Sequence, residues 1–126
     1  MNIEGLISLA KYVLPLEIIE NFDIVGVREE ESLLTIYLDE TAKAEYSDSP
    51  DYESKGFTEA VTVRDFPIRD RGVDLVVRRR RWMDKRTGKS FSSTIDVTAK
   101  GTRYSKEFAA FLKEVYGDEP FELPFA

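Results

Sequence analysis

Residues 72–83 read Gly-Val-Asp-Leu-Val-Val-Arg-Arg-Arg-Arg-Trp-Met, and few folds can absorb such a run. Side chains alternate faces along an extended strand. Val73, Leu75 and Val77 therefore share one face with Arg79 and Arg81. Asp74 and Val76 share the other with Arg78, Arg80 and Trp82. The strand has an apolar stripe as far as Val77 and is basic on both faces beyond it. A strand enclosed between two layers does not tolerate four adjacent arginines, because unpaired buried charge is costly. The spacing predicts a hairpin that starts in the core and projects into solvent as a two-sided basic ribbon. Asp84-Lys85-Arg86-Thr87-Gly88-Lys89 supplies its turn, with Asp at the start and Gly where a left-handed residue is needed. Lys89-Ser90-Phe91 begins the return strand.

The charge balance supports a local rather than a global reading. The formal net charge is -6. Residues 69–103 nevertheless hold eleven Lys or Arg against four Asp, a local net of +7, and the other 91 residues carry -13. Local potential decides where a phosphate backbone can dock. The chain has no cysteine and no histidine. Thiolate metal sites and disulfides are excluded, and the commonest general base is missing. No pair of acids is placed to suggest carboxylate-only catalysis, so neither catalytic residues, a metal nor a cofactor is expected. No apolar run approaches a membrane span, and the first residues lack a basic leader, so the expected location is cytoplasmic with no membrane partner.

The 126 residues suffice for one domain with a modest core. Residues 3–22 read as one or two short helices interrupted at Pro15. Leu6, Leu9, Ala10 and Val13 lie on one face, and Leu16, Ile19 and Phe22 continue the stripe. Residues 23–39 alternate as a hairpin around the charged turn Glu29-Glu30-Glu31-Ser32. Residues 40–56 read as a polar loop and the best candidate for a mobile segment. A strand is expected at 57–66, ended by Phe66-Pro67. A polar stretch at 92–101 leads to a helix at about 103–116. Phe108, Phe111, Leu112 and Val115 form its amphipathic face, and Gly117 stops it. The expected architecture is α+β. A small antiparallel sheet carries N- and C-terminal helices and a projecting basic hairpin at about 69–91, in one domain over 1–116 with a flexible tail at 117–126.

Arginine suits phosphate because its planar fork makes two hydrogen bonds at once. A two-stranded ribbon is also thin enough for a DNA groove. Arg78, Arg79, Arg80, Arg81, Lys85, Arg86 and Lys89 are the expected phosphate contacts, with Trp82 as a packing or stacking element. The structural alternative is a solvated hairpin whose arginines pair with acids of the chain itself.

The phrases Arg64-Asp65-Phe66-Pro67-Ile68-Arg69, the strand ending in Arg80-Arg81-Trp82, and Thr87-Gly88-Lys89-Ser90-Phe91 resemble the N-terminal region of a group of bacterial insertion-sequence transposases. In that group a Cys-x-x-Cys knuckle joins the strands, and an acidic-triad (DDE) catalytic domain normally follows. The likeness covers about 64–116. On the shared Gly-x-x-Phe ending the family cysteines fall on Asp84 and Thr87, and the upstream pair is missing from the 40–56 loop. The resemblance thus implies a degenerate zinc ribbon, without metal, held by turn chemistry and packing. It implies DNA binding at the ends of a mobile element during transposition, a form of DNA recombination. The catalytic subunit would be a separate polypeptide, and this piece would position phosphate rather than read bases. The rival reading is a non-enzymatic protein-interaction adaptor with an acidic surface.

Overall fold

The computed structural model describes residues 5, 8, 12–92 and 103–116. Helix α1 (Leu16–Asn21) follows Pro15, whose carbonyl accepts the N–H groups of Ile18 and Ile19. Proline tolerates this place because no hydrogen bond is asked of its nitrogen. Strands β1 (Phe22–Glu29) and β2 (Leu33–Glu40) form the expected hairpin, and Glu29 to Ser32 are exposed at its turn. Helix α2 (Ala44–Ser47), β3 (Tyr52–Phe57), β4 (Val61–Ile68) and β5 (Arg71–Arg78) follow. Then come β6 (Arg80–Asp84), β7 (Lys89–Ser92) and helix α3 (Lys106–Tyr116).

The strands make two sheets, ordered β1-β2-β5-β4 and β3-β6-β7. All pairs are antiparallel except β2 with β5. The α+β class therefore stands, with a small antiparallel-dominated sheet and helices toward both ends of the chain. The core of the larger sheet is aliphatic. Ile36, Leu38, Val63, Val73, Leu75 and Val77 pack with Leu14, Ile18 and Phe22 from the N-terminal side. Beside it, Tyr104, Phe108 and Leu112 make a second cluster against Phe66. Helix α3 is fixed to the β4 edge by backbone bonds between Arg64 and residues 103 and 105. Buried Asp65 accepts the Ser105 hydroxyl, and Ser105 Oγ in turn accepts the Phe108 N–H at the helix start.

Several expectations change. The run 72–83 is not one strand: it breaks at Arg79 and serves the two sheets in turn. Residues 40–56 hold α2 and most of β3, because Tyr46 and Tyr52 have aromatic partners waiting across the small sheet. Strand β4 runs through Pro67 to Ile68. It is an edge strand, where a missing N–H costs little. In α1 the buried residue is Ile18 and Leu16 is exposed, as is Val13 ahead of Pro15. In α3 only Phe108 and Leu112 of the expected face are buried, and Phe111 and Val115 are exposed. Leu6, Leu9, Ala10, Gly117, the stretch 93–101 and the tail 117–126 lie outside the described residues.

Candidate nucleic-acid interface

Arg79 is the hinge of the long basic run. Its N–H donates to Thr58 Oγ1 at 3.1 Å and its carbonyl accepts the Thr58 N–H at 2.8 Å. Those bonds take it out of either sheet's register and hand the chain from β5 to β6. The arginines on either side are held close to the body. Arg78 stands directly opposite Asp39 in the parallel β2–β5 register. Its Nε and Nη2 donate to the two Asp39 carboxylate oxygens at 2.7 and 2.6 Å. This two-pronged hydrogen bond raises the Arg78 pKa above its ordinary value. The Arg80 N–H donates to Glu40 Oε1 at 2.7 Å, and its Nε donates to the Glu40 carbonyl at 2.8 Å. Both guanidiniums also lie over the Phe57 ring, 4.3 and 4.9 Å from its centroid. The expectation of freely projecting guanidiniums is therefore corrected for Arg78 and Arg80. The end of β2 and the end of β3 supply an acid pair and a ring that the strand pattern alone does not place there.

Beyond this clamp three cations are open. Arg81, Lys85 and Lys89 are exposed, and none has an ion-pair partner among the described residues. Arg81 faces away from Trp82 and opposite Ser92, on the open side of the small sheet. Lys85 sits in the turn and Lys89 opens β7. Arg86 is exposed but shares its charge with Asp84 at 3.1 Å and Asp51 at 3.7 Å. Residues 80–92 hold five bases against the single acid Asp84, a local net of +4.

The turn is built as its sequence suggests. Gly88 has φ +74° and its N–H donates to the Asp84 carbonyl at 2.7 Å. Asp84 Oδ1 accepts the Arg86 N–H, and Thr87 Oγ1 accepts the Lys89 N–H. The Arg86 side chain, by its hydrogen bond, holds the Asp84 carboxyl below the ordinary aspartate value. A bond from Lys85 N–H to the Asp51 carbonyl, 2.8 Å, ties this turn to the start of β3.

Trp82 is buried, so of the two expected roles, packing or stacking, the structure shows packing. Its ring packs 5.6 Å from Tyr46, which also meets Tyr52 at 4.9 Å and Phe91 at 5.3 Å. This four-ring cluster joins α2 to all three strands of the small sheet. Burial pushes the Tyr46 phenol above its ordinary value, with Glu45, Tyr52 and Glu40 adding to the shift. Sequence reading overlooked the cluster; its trace was two aromatics, Tyr46 and Tyr52, inside the otherwise polar segment 40–56. Among the described residues no group of three or more Asp or Glu is placed to hold a metal ion, and no helix is long and apolar enough to cross a membrane. Comparison with protein-family models, curated proteins and solved structures gives no significant match to this chain.

Proposed function

We propose that this chain is a DNA-binding accessory domain that docks on phosphate through the β6–β7 hairpin. Arg81, Lys85 and Lys89 make the primary contacts, with Arg86 beside them. The observation that carries the reading is the contrast along one arginine run. Arg78 and Arg80 are held by Asp39, Glu40 and Phe57, whereas Arg81, Lys85 and Lys89 beyond them have no ion-pair partner among the described residues. Exposed Lys and Arg without partners supply the sequence-independent part of DNA affinity. The resemblance to the transposase N-terminal region narrows the target to the ends of a mobile element, with catalysis on a separate polypeptide. Trp82 and its aromatic neighbours act as the scaffold of the hairpin, in the role that zinc plays in the family it resembles.

The test is fluorescence anisotropy with a labelled duplex at fixed low salt. Replacing Arg81, Lys85 and Lys89 together by alanine lowers affinity by about a hundredfold, since each phosphate contact is worth roughly 1 kcal/mol. Arg78→Ala changes it little. Affinity unchanged in the triple variant contradicts the reading. A second reading draws on the exposed Phe111, Val115 and Tyr116 of α3. As a protein-interaction adaptor the chain would bind no duplex and would form a stable complex through that helix.

A further inference from the structure

Between α2 and the hairpin lies a cavity of about 100 Å³, lined by Glu40, Thr41, Lys43, Tyr46, Trp82, Phe91 and Ser92. Its walls are three rings of the aromatic cluster. Its floor holds a charged group that the clamp does not fully use. Glu40 is 3% exposed. One carboxylate oxygen accepts the Arg80 N–H, and the other has no hydrogen-bond partner among the described residues. No sealed polar side-chain atom lacks a partner among those residues, so this second oxygen keeps some accessible surface, and Glu40 lines the cavity. A nearly buried acceptor beside aromatic rings asks for a planar group with an N–H to donate.

We infer that this cavity receives one unpaired nucleobase bearing an exocyclic amine, cytosine being the best match in size. The inference rests on the DNA-binding reading and names the part of the ligand that reading leaves open. A carboxylate accepts from the cytosine amine. Thymine offers only its N3–H, and the two carbonyl oxygens that flank it face the carboxylate unfavourably. The part-exposed rings of Tyr46 and Phe91 offer apolar contact to any base, as aromatic side chains commonly do for single strands. Lys43, exposed at the rim, suits a phosphate beside the inserted base. Lys43 also argues against a cationic guest, which an aromatic box with a carboxylate would otherwise fit.

Trp82 is the only tryptophan in the chain and forms one wall, so its emission reports the cavity directly. The whole protein is titrated with oligo-dC, oligo-dT and a duplex of equal length. Oligo-dC is expected to quench Trp82 and to bind roughly tenfold more tightly than oligo-dT, the worth of one buried charge-assisted hydrogen bond. Glu40→Gln keeps an oxygen for the Arg80 N–H and turns an amide N–H into the cavity. The dC preference should then vanish or reverse. Equal binding of dC and dT by the unaltered protein, with Trp82 emission unchanged, overturns the inference, and that comparison needs no variant to fold. If duplex binding persists in that case, the DNA-binding reading stands alone; if no nucleic acid binds at all, both fall. Quenching by tetramethylammonium but not by oligo-dC would make the cavity a cation site and overturn it equally.

Discussion

The two sheets share one continuous stretch of chain, residues 71–84, and treat it oppositely. In the four-stranded sheet that stretch is a central strand with Val73, Leu75 and Val77 buried in an aliphatic core. Its charges on the other face are cancelled across the ladder, Asp74 by Arg64 at 2.6 Å and Arg78 by Asp39 at 2.6 Å. In the three-stranded sheet it is again central, but one face meets a ring cluster and the other presents Arg81. The lesson is that charge composition does not decide exposure; register does. Arg78 and Arg81 are alike in sequence context, yet one has a carboxylate directly opposite and the other has Ser92.

The sharpest way to break this comparison is to perturb each core in turn. Leu75→Ala, at a fully buried site between β2 and β4, should cost about 3 kcal/mol in urea denaturation. Tyr46→Ala removes three ring contacts from a half-buried position and should cost about 2 kcal/mol. Its effect should appear first in Trp82 emission, with the far-ultraviolet signal of the larger sheet retained. If Tyr46→Ala instead collapses both sheets together, the aromatic cluster is part of one core and the division drawn here is wrong.

A smaller effect concerns the turn. Because Arg86 holds the folded Asp84 carboxyl below its ordinary value, Asp84 contributes stability above that ordinary value. The contribution is lost as pH falls through the lower folded value. Carboxyl NMR should therefore place the Asp84 titration below that of an exposed aspartate, and Arg86→Ala should return it to the ordinary range. An ordinary midpoint in the unaltered protein would show that the Asp84–Arg86 contact is not kept in solution.

The legible parts of the molecule were those with local causes. Alternation gave β1, β2 and the buried stripe of β5, and Asp84 with Gly88 gave the turn. What escaped depends on distant residues. The Arg78–Asp39 pair exists because β2 and β5 are parallel, a crossover that no spacing in either strand announces. The break at Arg79 depends on Thr58, twenty-one residues away. Strand β3 hides in a segment rich in Ser, Asp and Glu, and forms because its two aromatic ends, Tyr52 and Phe57, find Tyr46, Phe91 and two guanidiniums. The binding face was thus visible as a basic run, but the sequence pattern could not separate its clamped half from its open half.

That separation is tested most directly by the salt dependence of duplex binding. Three to four open cations predict a log–log slope of about -3 to -4, falling toward zero when Arg81, Lys85 and Lys89 are replaced and unchanged in Arg78→Ala. A flat response in the unaltered protein, or a slope that drops for Arg78→Ala and not for the triple replacement, would contradict it.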